Sequence, residues 1–192
     1  YYSMTTLITG GNGNLANSLK KYVDGDYYGK DMLDLTDRNC IRNLQNYDIL
    51  IHTATGNNKI NNNLSLLFSK AKKIFAFTSK QGTFLNWKKT GPIDYGIEKL
   101  TLNFLVYRQN MENHNAQIFE PGHMETNEHY NHIAKKFSEL YLNWKFEKNA
   151  IYELPTDRYI PYWYLTYRLV LSSFSISSTP WWLYTPLYKA YP

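Results

Sequence analysis

Apolar residues in this chain come in short runs separated by stretches with helical spacing. Thr5-Thr6-Leu7-Ile8 is the first run, β-branched and uninterrupted, the pattern of a short strand buried on both faces. The pattern places strands near residues 5–9, 26–28, 33–35, 48–53, 73–78 and 116–120. Helices are expected near 14–23, 37–45, 61–71, 95–110 and 130–145. The last of these is amphipathic. Ile133, Phe137, Leu140, Tyr141 and Trp144 form one stripe opposite Lys135, Lys136, Glu139 and Lys145. Strand and helix alternate, which predicts an α/β fold: a Rossmann-like, doubly wound parallel sheet in a single compact domain.

The first strand runs directly into Thr9-Gly10-Gly11-Asn12-Gly13-Asn14-Leu15-Ala16 and then a helical pattern through Leu19 and Val23. Strand, glycine turn and helix N-terminus, in that order, suit a pyrophosphate. Glycine lets the backbone approach the anion, and the free N–H groups with the helix dipole bind it. The spacing Gly10, Gly13, Ala16 ends on alanine, which is small enough for close helix–strand packing.

Tyr95-Gly96-Ile97-Glu98-Lys99 carries the second candidate chemistry. Residues four apart on a helix share a face, with Cβ atoms roughly 5–6 Å apart. A phenol, with a reference pKa of about 10, is a poor proton donor at neutral pH, and an adjacent ammonium favours its ionised form. Such a pair is suited to protonating an alkoxide or deprotonating an alcohol.

Six segments, taken in order, resemble the short-chain dehydrogenase/reductases over roughly residues 4–126. They are the Thr-Gly-x-x-Gly-x-Leu turn at Thr9–Leu15; Leu33-Asp34-Leu35-Thr36-Asp37; Asp48 through Gly56; Phe77-Thr78-Ser79-Lys80-Gln81-Gly82-Thr83; Tyr95 through Asn103; and Glu120-Pro121-Gly122-His123-Met124-Glu125-Thr126. The early segments resemble dTDP-sugar reductases and related epimerases, and the Ser79–Asn103 region the shorter members. The resemblance implies an NADP(H)-dependent oxidoreductase acting on a carbonyl or alcohol, with a nucleotide-linked sugar among the candidate substrates. Tyr95 would be the general acid/base, Lys99 would lower its pKa and hold the nicotinamide ribose, and Ser79 would polarise the substrate oxygen. Among the asparagines at 57, 58, 61, 62 and 63, Asn61 is favoured for placing a proton-relay water.

Cofactor contacts are implied for Thr9, Gly10, Gly11, Asn12, Gly13, Asn14 and Leu15 at the turn, and for Asp34 and Leu35 on the adenine side. Thr53, Ala54 and Thr55 follow the fourth strand of the family pattern, and Pro121, Gly122, His123, Met124 and Thr126 form the loop beside the nicotinamide. Alignment on Leu33–Asp37 puts Lys30 where a 2′-phosphate would lie, which favours NADP(H) over NAD(H). The segment between Gly56 and Ser79 is short for the family, so a truncated fourth helix is expected and the usual dimer bundle is in doubt. The alternative to an enzyme is a non-catalytic NAD(P)-binding sensor or interaction protein that keeps the fold. Intact Ser79, Tyr95 and Lys99 argue against it.

Residues 1–126 are read as the nucleotide-binding core. Residues 127–192 are read as a helix and an aromatic-rich cap or interface segment of the same domain. At 192 residues and 43% hydrophobic content the chain is long and apolar enough for one good core. A net charge of +5 favours anionic ligands such as nucleotides, but no basic stripe points to nucleic acid. The aromatic stretch 159–176 contains Pro161 and Arg168, which argues against a membrane span and leaves an interfacial anchor as the lesser reading. A lone cysteine, Cys40, and no signal peptide fit a reducing, cytoplasmic compartment. Tyr1, Tyr2 and Ser3 precede Met4, as residues left over from expression or as the end of a longer parent. His123, His129 and His132 with Glu125 and Glu128 are read as solvated loop residues, and no metal is expected. Homo-oligomerisation is left open.

Overall fold

The computed structural model describes residues 4–54, 58–79, 93–121, 124–146, 150–154, 156–161 and 163. Thr55, Gly122, His123, residues 80–83 and the aromatic residues beyond Trp163 lie outside the described residues. The described elements run in the order β1 (Thr6–Thr9), α1 (Asn14–Leu19), β2 (Asp26–Tyr28), α2 (Arg38–Arg42), β3 (Tyr47–His52), α3 (Asn58–Asn61), α4 (Leu64–Phe68) and β4 (Ala71–Phe77). There follow α5 (Ile93–Asn113), β5 (Ala116–Pro121), α6 (Asn127–Leu140), a 3-10 turn (Tyr141–Asn143), β6 (Ala150–Leu154) and β7 (Arg158–Pro161).

Among the described residues the strands form one seven-stranded sheet in the order β2-β1-β3-β4-β5-β6-β7. Every pairing is parallel except β6–β7, an antiparallel hairpin. From β1 the chain steps outward on one side to β2, and β3 then returns to the other side of β1. That reversal opens a crevice at the C-terminal ends of β1 and β3, where open α/β sheets bind ligands.

Continuous apolar runs bury both faces of the sheet. Leu7, Leu50, Ile74, Ala76 and Ile118 face α2, α4 and α5 through Ile41, Leu64, Leu67, Phe68, Leu102 and Val106. Ile8, Ile49, Ile51, Phe75, Phe77 and Phe119 face α1 and α6 through Leu15, Ala16, Leu19, Ile133 and Phe137. The second face is held by ring contacts, among them Phe119–Phe137 at 5.1 Å edge-on and Phe77–Phe137 at 5.1 Å. Helix α6 starts at Thr126, whose hydroxyl accepts from the His129 N–H at 3.3 Å.

Two parts of the pattern reading are corrected. Residues 33–35 are not a strand. Met32 and Leu33 donate to the Gly29 carbonyl, and the Asp34 carboxylate accepts from Thr36 N at 2.8 Å and Thr36 Oγ1 at 2.7 Å. This local side-chain turn takes the backbone that a ladder would need, while Leu33 and Leu35 still reach the core. The β6–β7 hairpin was not anticipated, although Thr156-Asp157 is a turn signal and Asp157 adopts φ 53° there. The expected truncation before Ser79 is seen as two short helices, α3 and α4, of four and five residues.

Candidate functional site

Glycine placement shapes the crevice. Gly10 has φ 75°, and a Cβ there would sit 2.8 Å from the Ala54 backbone. A Cβ on Gly11 would lie 2.8 Å from the Tyr27 carbonyl carbon, so the turn packs against both neighbouring strands. Gly11 N donates to Tyr28 O at 2.9 Å and Gly13 N to Gly10 O at 2.8 Å, which closes the turn. Gly13 is the extended N-cap of α1 and supplies no side chain to the first helical N–H groups. Opposite, Thr53 Oγ1 donates to Thr9 O at 2.8 Å and fixes the wall beside Ala54.

A cleft of about 670 Å³ extends from this turn to the end of β4. That size lies within the usual range of ligand pockets, about 300–1,000 Å³. Gly10, Asn12, Gly13, Asn14 and Leu15 border it at the turn, and Tyr28, Gly29, Lys30, Asp34 and Leu35 at one end. Thr53, Ala54 and Met124 border it too, and Tyr95 and Lys99 stand at the other end with Phe77, Thr78 and Tyr130. Most of the expected cofactor residues thus converge on one surface. Asp31 is tied back by the Asn12 side-chain amide at 3.3 Å, whereas Lys30 borders the cleft. The Thr36 hydroxyl and amide hold the Asp34 carboxyl below its ordinary range, with Lys30 adding to this.

At the reactive end, α5 presents Tyr95 and Lys99 on adjacent turns of one face. Lys99 is 4% exposed, and its Nζ donates to the Phe77 carbonyl at 3.1 Å. Burial pulls this ammonium down to about 8, partly opposed by the Glu98 carboxylate. The same Nζ lies 5.8 Å from the centroid of the Tyr95 ring. Burial raises the Tyr95 phenol, a hydrogen bond from Ser79 lowers it, and Tyr130 and Glu98 raise it further. The neighbour that favours phenolate is therefore Ser79. Lys99 is anchored on the β4 backbone through the Phe77 carbonyl.

Asn61 is buried, and its Nδ2 donates to the Glu98 carbonyl at 3.2 Å. It thereby braces α3 against the helix that carries Tyr95 and Lys99. Thr126 is engaged as the cap of α6, and Pro121 closes β5.

Three neighbours of this cluster were not assigned a role from sequence. His52 is 1% exposed, with Nδ1 2.8 Å from Thr9 Oγ1. Burial and, secondarily, the Lys99 charge push it down to about 3. Tyr130, four residues past the Thr126 cap, faces back into the cleft from α6. Thr78 is buried between Phe77, whose carbonyl holds Lys99, and Ser79. Only Thr78 had a sequence cue, its place beside Ser79. Among the described residues no cluster of three or more His, Cys, Asp or Glu suits a metal ion.

No protein-family model matches the sequence, nor does any curated protein. Solved structures do share its fold. A short-chain dehydrogenase/reductase (glucose/ribitol dehydrogenase) from Brucella melitensis superposes with a TM-score of 0.53 at 12% identity, over 70% of this chain and 87% of that one. RhlG of Pseudomonas aeruginosa, solved with NADP, gives 0.50 at 14% identity over 73% and 79%. A GDP-L-fucose synthetase from Naegleria fowleri bound to NADP gives 0.49 at 20% identity over 63% of this chain, which spans only about half of that protein, 51%. The chain has a Rossmann-like α/β fold, which it shares with these structures.

Proposed function

We propose that the protein is an NADP(H)-dependent oxidoreductase that moves a hydride between a nicotinamide and a carbonyl or alcohol substrate. The observation that carries the reading is one cluster: Ser79, the neighbour that lowers the Tyr95 phenol, and Lys99, whose Nζ lies 5.8 Å from the Tyr95 ring centroid. It opens into the cleft that the glycine turn also borders. A sensor that only binds nucleotide has no use for a phenol held this way.

The chain fits a dinucleotide at the turn. Gly10 and Gly11 leave no room for a Cβ, so the backbone itself forms the cradle, and the uncapped start of α1 faces the cleft. Lys30 borders the cleft while Asp31 is engaged by Asn12, which supports Lys30 as the partner of a 2′-phosphate. A bound nicotinamide supplies or accepts the hydride. In the reducing direction Ser79 orients the substrate oxygen, and Tyr95 gives that oxygen its proton as negative charge develops. Lys99, charged below about pH 8 and fixed by Phe77 O, stands beside this pair with its Nζ 5.8 Å from the Tyr95 ring centroid, where it would hold the nicotinamide ribose. Asn61 contributes by holding α3 to the Glu98 carbonyl.

The test is a thermal-shift titration with NADPH and NADH, followed by Tyr95→Phe. A ligand at ~100 times its Kd adds about 2.7 kcal/mol of stability. NADPH should stabilise well above NADH, and Lys30→Glu should reverse that order. Tyr95→Phe should keep the NADPH shift and lose roughly 10²–10⁴-fold in carbonyl reduction. No shift with either nucleotide would remove the reading. Full turnover by Tyr95→Phe would remove Tyr95 from the chemistry.

A further inference from the structure

We propose that Tyr130 is a specificity-determining residue of this cleft, whose hydroxyl takes a second oxygen of the substrate, next to the carbonyl that is reduced. The substrate class is then a ketone or aldehyde that also bears oxygen on the neighbouring carbon. The inference rests on the oxidoreductase reading above and adds a substrate class to it.

Tyr130 is held on one side and open on the other. It stands in the first turn of α6, where its N–H donates to the Thr126 carbonyl at 3.2 Å. Its ring packs on the aromatic core that covers this face of the sheet. The residue is nevertheless only half-buried, and it borders the cleft. A tyrosine has few torsions, so packing of the ring fixes where the hydroxyl sits. Among the described residues that hydroxyl makes no hydrogen bond to the protein. Tyrosines with a packed ring usually give the hydroxyl a partner. It also lies near enough to the Tyr95 phenol for their charges to repel.

The other groups at this end leave one role for it. Lys99 is buried and engaged by the Phe77 carbonyl. Ser79 and Tyr95 serve the reacting oxygen in the reading above. Phe77 and Met124 offer only apolar surface. Tyr130 is thus the accessible polar group at this end, among the described residues, for the atom next to the reacting carbon. A hydroxyl or second carbonyl oxygen there completes its hydrogen bond. A methyl in the same place displaces water from the phenol and gives nothing back.

The experiment measures kcat/KM for hydroxyacetone and for butanone, which match in size and differ by a hydroxyl in place of a methyl. Both ketones are tested on the unaltered chain and on Tyr130→Phe, with NADPH affinity by calorimetry in each. Phenylalanine keeps the ring and deletes the hydroxyl. Tyr130→Phe should lower the ratio of hydroxyacetone to butanone about tenfold, equivalent to ~1.4 kcal/mol. The greater intrinsic reactivity of hydroxyacetone is the same for both chains and cancels in that comparison. NADPH affinity should stay within about twofold, because the hydroxyl meets substrate and not cofactor. A phenol that only supports the fold would change both ketones alike and leave the ratio where it was. Such an unchanged ratio would overturn the assignment, and so would a chain that binds NADPH but reduces neither ketone. If the unaltered chain binds neither NADPH nor NADH, the cofactor reading fails and Tyr130 falls with it. If it binds and reduces both ketones at a ratio Tyr130→Phe does not alter, Tyr130 alone is excluded.

Discussion

His52 should set the acid limit of the fold. Its ring is 1% exposed, and burial, aided by the Lys99 charge, pushes its pKa from 6.5 to about 3. Below pH 6.5 the unfolded chain takes a proton that the folded chain refuses. The neutral ring's contribution is complete above about 6.5 and is lost as pH falls toward about 3. The gap between 6.5 and about 3, at about 1.4 kcal/mol per pH unit, is about 5 kcal/mol. At pH 5 the loss is already about 2 kcal/mol.

His52→Asn isolates this contribution. Asparagine leaves a polar atom near the Nδ1 position that contacts Thr9 Oγ1, but it does not titrate. It also opens a cavity, with a cost that does not vary with pH. Urea denaturation of both chains at pH 7.5 and 5.0 then gives a double difference in which protonation of surface carboxylates cancels. The expected result is a deficit of His52→Asn that shrinks by about 2 kcal/mol at the lower pH. A deficit constant within about 0.5 kcal/mol, with unchanged m-values, would refute the depressed pKa and with it the account of a dry, cation-crowded strand end.

Two further outcomes follow from the same site. Gly10→Ala forces a Cβ to within 2.8 Å of the Ala54 backbone at φ 75°, and should destabilise by about 2–4 kcal/mol. It should also abolish the NADPH thermal shift, and an unchanged melting temperature would contradict the packed-turn account. Lys99 is charged below about 8, so kcat/KM for carbonyl reduction should fall as pH rises through that value, since kcat/KM reports the free enzyme. Lys99→Arg, permanently charged, should lose that alkaline limb even if its rate is low, and a profile flat to about pH 9.5 in the unaltered chain would refute the role.

The sheet was readable because its signal is local and redundant. Thr6 through Thr9 must be covered on both faces whatever follows, and glycine at position 10 must turn. The lapse at Leu33 and Leu35 has a definite cause. Two buried leucines two apart are compatible with a strand, but Asp34 between them closes on Thr36 and the backbone turns instead. Apolar periodicity reports which residues are buried, and it is silent on which backbone partner wins. The β6–β7 hairpin was obscured differently. Tyr152 and Tyr159 sit in an aromatic-rich stretch that reads as a cap, yet their rings pack edge-on at 5.0 Å as a cross-strand pair.

The identities of the reactive side chains were legible; their electrostatics were not. Spacing put Tyr95 and Lys99 on one helical face and suggested an ammonium that acidifies a phenol. Whether it does so depends on where Nζ finds its acceptor, and that acceptor is the Phe77 carbonyl, 22 positions away in sequence. No pattern in residues 95–99 encodes it. The same is true of His52, whose ring is dry because β1 and β4 flank β3 and long-range packing covers the strand end. Burial then acts on both groups in one direction, disfavouring each cation, and the Lys99 charge adds to the effect on His52.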